Sequence, residues 1–145
     1  MRIQIKKLSD TAVLPVRGSA QAAGYDLCAD IREPLVLAPG RTEKIHTGIS
    51  LAIPDGYFAG IFARSGLSTK KGLRPANCTG VVDSDYRGEL LVPLYNDSDT
   101  ERVIEPGERI AQMILLPYLA AEFDEVEELD ATERGECGFG STGSR

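Results

Sequence analysis

The sequence is poor in the residues on which several classes of site depend. It has no tryptophan, one histidine and three cysteines among 145 residues. Cys28, Cys78 and Cys137 are far apart and odd in number, and with His46 they offer neither a zinc-ligand spacing nor a Cys–His pair for thiol catalysis. We therefore expect free thiols in a reducing compartment and a structural or surface role for His46.

Long apolar runs and an excess of positive charge are also missing. No stretch approaches the roughly 20 apolar residues of a membrane helix, and the N-terminus, MRIQIKKLSD, lacks the apolar core of a signal peptide. The formal net charge is −6, which disfavours a broad nucleic-acid surface but allows a small polyanion held by a few arginines and a divalent cation. We expect an intracellular, cytoplasmic protein that binds neither membrane nor nucleic acid, with a nuclear or virus-infected setting left open.

What is present is a series of short β-type runs divided by glycine and proline. The chain has 15 glycines and 8 prolines, and its runs end on turn formers such as Ala-Pro-Gly, Pro-Asp-Gly and Glu-Pro-Gly. No long segment carries a helical period, so the pattern predicts one all-β domain, a sandwich or barrel. A short helix is predicted over residues 65–72, capped by Ser65 and ended by Gly72. The predicted strand regions are RIQIKKL, LVLAPG, KIHTGISLAIPDG, GYFAGIFA, GELLVPLYND and RVIEPGERIAQMILLPYL.

The chain changes character towards its C-terminus. The acidic segment AEFDEVEELD, residues 121–130, fits neither a helix nor a strand cleanly and is predicted as mixed. From Ala131 the sequence is rich in glycine and has almost nothing to bury except Phe139. We therefore divide the chain into an all-β core, residues 1–130, and a flexible C-terminal segment, residues 131–145.

Three short stretches place polar residues where a ligand would find them, although each also has an ordinary structural interpretation. In ARSGLS, Arg64, Ser65 and Gly66 offer a guanidinium, a hydroxyl and helix N–H groups to phosphate, or form only a helix start beside a solvated arginine. Asp26 in AGYDLCA is either a ligand of a divalent cation or a turn residue. Gln112 in PGERIAQMIL either reaches a ligand or satisfies a neighbouring backbone group.

The stretch GVVDSDYRGEL is the densest polar cluster. Perfect alternation from Val81 would place Asp83, Asp85 and Arg87 on one face of a strand, with Arg87 orienting an aspartate. The apolar entry favours a desolvated carboxylate at Asp83, and the alternative is a surface hairpin whose charges face water. Because GxxxxGK[ST], GxSxG and a GxGxxG after a strand are all missing, any nucleotide chemistry must use another architecture.

Five of these stretches resemble, in order and approximate spacing, the five motifs of the trimeric dUTP pyrophosphatases, the dUTPases. The similarity spans residues 23–143, and the third and fifth motifs are the most specific. It implies a jelly-roll-like all-β subunit, a homotrimer with active sites shared between subunits, and Mg²⁺-dependent hydrolysis of dUTP to dUMP and diphosphate. Such an enzyme limits uracil in DNA and supplies dUMP for dTMP synthesis. The five stretches are AGYDLCA, ARSGLS, GVVDSDYRGEL, GERIAQMIL and RGECGFGSTG.

The resemblance also implies roles for residues of the first four motifs. Asp83 is the general base for the water that attacks the α-phosphorus, and Tyr86 packs on the deoxyribose and excludes a 2′-hydroxyl. Because both must face one nucleotide, the strand is expected to bend near Ser84. Asp26 is linked to Mg²⁺ through water. The remaining implied contacts are recognition of uracil by Asn77 and by backbone groups along a hairpin at Val81 and Val82, and phosphate binding by Arg64, Ser65, Gly66 and Gln112.

The fifth motif implies a lid that closes from a neighbouring subunit. Phe139 stacks on the uracil, and Arg134 holds the γ- and β-phosphates with Ser141 and Thr142. Gly140 completes the implied substrate-binding set of this segment.

Two positions depart from the family pattern, and two rival functions stay open. Ala63 stands where proline is common, which removes a restraint before Arg64. Cys137 stands where glycine is usual, which costs lid stability if that position requires a positive φ. The rivals are a dCTP deaminase, which shares the fold but has no counterpart of the Phe-Gly-Ser-Thr lid, and a nucleotide-sensing module without catalysis. The intact catalytic positions disfavour the sensing module.

Overall fold

The computed structural model describes residues 1–138, which form short antiparallel strands and one helix. The predicted turn triplets set several strand ends, since Gly56 and Gly107 adopt φ of +79° and +76°, a conformation that glycine reaches without steric cost. The strands are β1 (Gln4–Lys7), β2 (Val16–Arg17), β3 (Tyr25–Cys28), β4 (Leu35–Leu37), β5 (Thr42–His46), β6 (Ile49–Ala52), β7 (Tyr57–Phe62), β8 (Leu73–Pro75), β9 (Thr79–Val82), β10 (Leu91–Asn96), β11 (Arg102–Ile104) and β12 (Arg109–Pro117).

The strands associate into open sheets. The largest has five strands in the order β2-β3-β12-β7-β9, so β12 is central and β9 lies at an edge. Another has the order β5-β10-β8, and the pairs β1-β6 and β11-β4 complete the described part of the chain. The all-β, jelly-roll-like prediction is confirmed, with open sheets rather than a closed barrel among residues 1–138.

The core consists of aliphatic side chains that the alternating strands direct inwards. Ile45, Val92, Leu94, Ile104 and Ile110 are each fully buried. Complete burial of such a side chain contributes about 1.5–3 kcal/mol, so this cluster supplies much of the stability of the sheets. The site described below is built on the strands that this core supports.

The helix α1 (Ser65–Lys71) begins differently from the prediction. Arg64 occupies the N-cap position in an extended conformation and makes no side-chain cap, so Ser65 is the first helical residue rather than the cap. Gly72 ends the helix with φ of +67°, as predicted. Neither α1 nor any other part of residues 1–138 is a helix long and apolar enough to cross a membrane.

Two further segments differ from their predictions. The run KIHTGISLAI forms two strands, β5 and β6, because Gly48 interrupts it with φ of +66°. Residues 121–130 form neither a helix nor a strand, although a mixed character was expected. Phe123 and Leu129 in this segment are 94% and 88% exposed, so no buried apolar face stabilises regular structure there.

Candidate active site

Three neighbouring strands bring the first, second and fourth motifs together. On the central strand β12, Gln112 pairs with Asp26 of β3 on one side and with Phe62 of β7 on the other. Phe62 is two residues before Arg64, so the same row of the sheet leads directly into α1. Side chains from three distant parts of the sequence therefore meet at one end of these strands.

The cleft at this point, which we call the arginine cleft, has a volume of about 690 Å³. Its charged lining consists of the cations Arg64, Lys71 and Arg109 and the anions Asp26 and Glu108. The cations outnumber the anions here, in a protein whose formal net charge is −6. The arginine cleft thus provides the local positive charge that a polyanionic ligand requires.

Asp26 is held by two arginines. Its Oδ1 lies 2.8 Å from Arg64 Nε and its Oδ2 lies 3.1 Å from Arg109 Nη1, while the Asp26 side chain is only 13% exposed. Arg64 Nη1 also donates to the Arg109 carbonyl at 3.3 Å. These contacts fix the guanidinium of Arg64, and within residues 1–138 they leave its Nη2 donors for a ligand.

Arg109 is a site residue that the sequence reasoning missed. It opens β12 directly after the Glu-Pro-Gly turn, and the pairing with β3 places it opposite Cys28, two residues from Asp26. The register shifts between Arg109 and Ala111, and such a bulge redirects the side chain beside it. In the sequence, Arg109 is marked only as a charged residue at the start of a predicted strand, which does not by itself indicate a site residue.

Cys28 lies behind this ion-pair network. Burial raises the pKa of its thiol, and the Asp26 carboxylate raises it further, against the opposing effect of Arg109 and Arg64. A thiol with a raised pKa is a poor nucleophile near neutral pH. The expectation of a free thiol without a catalytic role is therefore supported at this position.

Gln112 follows the structural alternative while also lining the arginine cleft. Its Nε2 donates to the Ala63 carbonyl at 2.8 Å and so holds the chain just before Arg64. The amide lies against Gly24, where an added Cβ would overlap its oxygen. The hydrogen bond from Gln112 to the Ala63 carbonyl restrains the backbone at position 63, where the family pattern commonly has proline.

Ser65 and Gly66 lie at the start of α1 and also line the arginine cleft. The first N–H groups of a helix have no intrahelical acceptor, and the Ser65 hydroxyl makes no cap. A Cβ added at Gly66 would meet nothing within 4 Å, so its backbone faces open space. The predicted phosphate-binding residues are therefore brought together with Asp26 and Gln112.

The third motif lies on the edge strand β9 and the turn after it. The predicted bend is confirmed, because residues 84–85 form a turn in which the Tyr86 N–H donates to the Asp83 carbonyl at 3.2 Å. The predicted hairpin at Val81 and Val82 is wrong. Both residues pair with β7, and β9 does not pair with the preceding strand β8. The outer side of β9 is consequently open in the described subunit.

Asp83 is exposed, contrary to the expectation of a desolvated carboxylate. Within residues 1–138 its carboxylate takes part in no ion pair or hydrogen bond. The prediction that Arg87 orients an aspartate is also wrong, since Arg87 Nη1 donates to the carbonyls of Ser84 at 2.6 Å and Tyr86 at 2.9 Å. Arg87 thus closes the turn and leaves the Asp83 carboxylate free.

Tyr86 is folded back over the backbone that follows it. Its hydroxyl donates to the Glu89 carbonyl at 2.9 Å, and a Cβ added at Gly88 would overlap the ring, with Cζ only 2.6 Å away. The side chain remains 46% exposed. Tyr86, Val81, Val82 and Asp83 line a second cleft of about 220 Å³, which we call the turn cleft.

Asn77 lies in the turn between β8 and β9 and is exposed. Its Nδ2 would stand 3.3 Å from a Cβ added at Gly80, so the side chain lies over that glycine on the edge strand. Asn77 is therefore next to the backbone of β9, as recognition of a base by both would require.

The arginine cleft and the turn cleft lie at opposite ends of β7. Val82 pairs with Ala59 near the start of β7, whereas Arg64 follows its end. At about 3.3 Å per residue, the backbone from Ala59 to Arg64 spans roughly 17 Å. The two clefts have no lining residue in common. One subunit therefore presents the two halves of the predicted site separately.

The C-terminal segment contributes little that the structure describes. Arg134 is exposed and its Nε donates to the Cys137 carbonyl at 2.9 Å. Among non-glycine residues of 1–138 only Cys78 has a positive φ, so Cys137 carries no such strain here. The predictions for Phe139, Gly140, Ser141 and Thr142 lie outside the described residues, and the lid and the boundary at residue 130 stay predictions.

A metal ion held by protein ligands alone does not fit this site. No group of three or more His, Cys, Asp or Glu side chains within residues 1–138 is placed to hold one. Mg²⁺, however, commonly keeps several waters and is bound through one or two carboxylates together with substrate phosphates. Asp26 has the chemistry for that mode through water, because each of its oxygens has one arginine contact and keeps a second lone pair that a metal-bound water could reach.

The fold and the site together define an all-β protein with a cleft lined by arginines and a separate turn that carries an exposed carboxylate. The family model that describes dUTPases matches residues 10–143. A deoxyuridine 5'-triphosphate nucleotidohydrolase of Oryza sativa subsp. japonica is 51% identical over 141 residues, covering 97% of this chain and 80% of that protein. A protein of the same name from Hydrogenobaculum sp. (strain Y04AAS1) is 46% identical and is covered in full, as is this chain.

Solved structures support the same assignment. The dUTPase of Staphylococcus bacteriophage 80alpha with dUPNHPP superimposes with a TM-score of 0.85 at 33% identity, covering 98% of each chain. The chain belongs to the dUTPase family.

Proposed function

We propose that this chain is a dUTP diphosphatase that hydrolyses dUTP to dUMP and diphosphate. The family assignment supports the reaction class. In this reaction water attacks the α-phosphorus, the bond from that phosphorus to the diphosphate oxygen breaks, and the water proton passes to a base. Removal of dUTP limits uracil in DNA, and the dUMP formed supplies dTMP synthesis.

The observation that carries the proposal is the contrast between two carboxylates. Both oxygens of Asp26 are engaged by arginines, whereas the Asp83 carboxylate is exposed and engaged by no group within residues 1–138. Of these two carboxylates, Asp83 is the exposed one and, within residues 1–138, the unpaired one, as a general base within reach of the attacking water requires. We therefore assign Asp83 as the base and Asp26 to the organisation of the arginine cleft.

The arginine cleft would bind the phosphates. Arg64 Nη2, the Ser65 hydroxyl and the N–H groups of Ser65 and Gly66 are the donors, and Asp26 and Arg109 hold Arg64 in place. Preorganised donors of this kind stabilise charge that develops in the transition state. A positioned general base typically contributes about 10²–10⁴-fold, so electrostatic stabilisation carries the larger share of the acceleration.

Mg²⁺ is the cofactor we propose, carried by the substrate phosphates and linked to Asp26 through water. When bound, it would neutralise phosphate charge and polarise the phosphoryl group. The chain itself supplies the adjacent cations and, in Asp26, a carboxylate for this mode of binding.

Selection of the nucleotide falls to the turn cleft. The outer edge of β9 around Val81 and Val82 would offer the edge of a base those backbone N–H and C=O groups that do not bond to β7, with Asn77 beside them. The exposed face of Tyr86 would pack on the deoxyribose and exclude a 2′-hydroxyl. A polar group of the site that the correct nucleotide buries and pairs would be left unpaired by a wrong nucleotide, so such groups discriminate strongly between the two.

The separation of the two clefts supports a homotrimer with shared active sites. Because they lie at opposite ends of β7, we propose that the arginine cleft of one subunit faces the turn cleft of another. The lid at residues 131–145, with Arg134, Phe139, Gly140, Ser141 and Thr142, would close the site from a neighbouring subunit and exclude water. The cytoplasmic location expected from the sequence stays a prediction.

Release of diphosphate from dUTP, measured with and without Mg²⁺, tests the proposal. We expect rapid release that EDTA suppresses and no ammonia from dCTP. Ammonia from dCTP would identify a deaminase, and tight dUTP binding in Mg²⁺ without turnover would identify a sensing module. Either result would contradict the proposed function.

A further inference from the structure

The segment after the catalytic turn is attached to the connection between β5 and β6. Within residues 1–138, five hydrogen bonds join residues 46–50 to residues 87–90. They run from Leu90 N–H to Ile49 O at 2.9 Å, from Ser50 Oγ to Arg87 O at 2.7 Å, from Thr47 Oγ1 to Leu90 O, from Gly48 N–H to Glu89 Oε1 at 2.9 Å, and between His46 Nδ1 and Glu89 Oε2 at 2.8 Å. Neither segment belongs to the arginine cleft.

Glu89 is the only side chain of residues 87–90 that takes part in these bonds, and both its carboxylate oxygens are engaged. Oε1 accepts from the backbone of Gly48, a residue with φ of +66° whose Cβ position would overlap Ala12 and the Asp30 carboxylate. Only glycine fits this position, so the N–H that contacts Glu89 is set by the backbone and not by a mobile side chain.

The backbone carbonyl of Glu89 contacts the proposed site directly. It accepts the hydroxyl of Tyr86 at 2.9 Å, and Gly88 leaves room for the ring to fold over the chain between them. Glu89 therefore joins the β5–β6 connection on its side-chain side to Tyr86 on its backbone side. A displacement of the Glu89 backbone, which the side-chain contacts restrain, would move the acceptor that orients the tyrosine.

The two contacts of the carboxylate are unequal. His46 is 60% exposed, and an exposed pair of this kind contributes little. Glu89 is only 24% exposed, and loss of the acceptor for a partly buried N–H has a larger effect than loss of a surface pair. The bond from Gly48 is consequently the contact that holds Glu89.

We infer that Glu89 is a positioning residue for sugar selection, acting through Tyr86. This inference rests on the proposed function, because it assigns a consequence for the discrimination of dUTP from UTP. Glu89 lines the turn cleft, but both of its carboxylate oxygens are already engaged by Gly48 and His46, so the role assigned to it is indirect. It holds the carbonyl that orients the ring that would meet the sugar.

The test compares the kcat/KM for dUTP with that for UTP on the same preparation. This ratio is independent of the fraction of folded enzyme, so it separates positioning from a loss of stability. The variants are Glu89→Ala, Glu89→Asp, which keeps the charge but is one methylene shorter, and Glu89→Gln, which keeps an acceptor for the Gly48 N–H. Glu43→Ala, an exposed glutamate on β5, is the matched control.

We expect the dUTP to UTP ratio to fall about tenfold in Glu89→Ala and severalfold in Glu89→Asp. It should stay within about threefold of wild type in Glu89→Gln and be unchanged in Glu43→Ala. Hydrogen–deuterium exchange without substrate should show faster exchange of peptides covering residues 83–90 in Glu89→Ala, a smaller increase in Glu89→Asp, and wild-type rates in Glu89→Gln and Glu43→Ala.

An unchanged ratio in Glu89→Ala, with or without a lower Tm, would overturn the inference. If that variant does not fold, an unchanged ratio in Glu89→Asp would overturn it instead. A wild-type protein that does not hydrolyse dUTP would contradict the proposed function alone. In that case the hydrogen–deuterium exchange rates decide whether Glu89 orders the turn. Equal rates in Glu89→Ala and wild type would show that Glu89 does not order residues 83–90.

Discussion

Asp26 and Asp83 stand at the ends of strands in the same sheet, but the sheet treats them in opposite ways. Asp26 is on β3 next to the central strand, is 13% exposed, and contacts two arginines. Asp83 follows the edge strand β9, is exposed, and is positioned only through the backbone of its turn. The central region is thus preorganised within one subunit, while the edge region presents open groups that a ligand or another subunit must complete.

Asp83→Asn gives the largest expected effect. Removal of the base should lower kcat by about 10²–10⁴-fold, with dUTP binding largely retained because the phosphate donors lie in the other cleft. The measurement is single-turnover hydrolysis together with calorimetric titration of a non-hydrolysable analogue. Asp85→Asn, two residues away on the same turn, is the control and should remain active. Near-normal turnover in Asp83→Asn would remove Asp83 as the base.

Arg64→Ala tests the preorganised side of the comparison. A hydrogen bond to a charged group contributes about 1.5–3 kcal/mol, so kcat/KM should fall by at least about tenfold. The same change leaves Asp26 with one arginine, which should also weaken the arginine cleft. Steady-state kinetics measures the effect, with Arg41→Ala on the exposed turn before β5 as the control. Equal losses in the two variants would contradict a specific role for Arg64.

Asp30→Asn tests what stabilises the connection between β5 and β6, to which the turn after β9 is hydrogen-bonded. The Asp30 carboxylate lies against Gly48 in this connection. The Ser9 hydroxyl and then the Thr11 hydroxyl lower the pKa of Asp30 below its ordinary value, aided by His46 and Lys7 and opposed by partial burial. A lowered native pKa adds stability that is present above about pH 4 and is lost as pH falls through the native pKa.

We therefore expect Asp30→Asn to lower the free energy of unfolding by about 1 kcal/mol at pH 7. Below about pH 4 the gap between the wild-type and variant curves should narrow, and it should close only below the lowered native pKa of Asp30, where the folded wild-type carboxyl is protonated. Urea denaturation between pH 3 and pH 7 measures the difference. A gap that is constant across this range would show that the charge of Asp30 is not responsible.

Thiol alkylation gives the smallest effect and compares the buried thiol next to the arginine cleft with thiols on the surface. Because its pKa is raised by burial and by Asp26, Cys28 has less thiolate at a given pH than an ordinary cysteine. At pH 8 the exposed Cys78 and Cys137 should react, whereas Cys28 should react only at higher pH or after unfolding in urea. Mass spectrometry of the labelled peptides measures the rates. Equal alkylation rates at all three cysteines would contradict the burial of Cys28 behind Asp26.

Much of the fold was predictable because local chemistry marks the strand ends. Turn triplets such as Pro-Asp-Gly and Glu-Pro-Gly are followed by β7 and β12, and Gly72 ends the helix. The short strands β2, β3 and β8 were missed because two to four residues carry no recognisable alternation. The break at Gly48 was missed because its positive φ depends on Asp30 and Ala12 packing against it.

The site was predictable as a set of residues but not as a set of contacts. Motif order identified Asp26, Arg64, Gln112 and Asp83, because those residue types in that order are specific. The pairing of Arg109 with Asp26 arises from the register of β12 against β3, which the sequence does not display. The bond between Gly48 and Glu89 joins residues 41 apart, and such contacts follow only from the tertiary fold.

The edge strand β9 also has a consequence for solubility. An open strand edge is a template for pairing with another chain, and natural proteins guard such edges by keeping them short and charged. β9 is four residues long, and Asp83 and Asp85 follow it at once. The carboxylates of the turn therefore also act as gatekeepers against aggregation, so that neutralising them for kinetic experiments would make the folded protein more prone to associate through this edge.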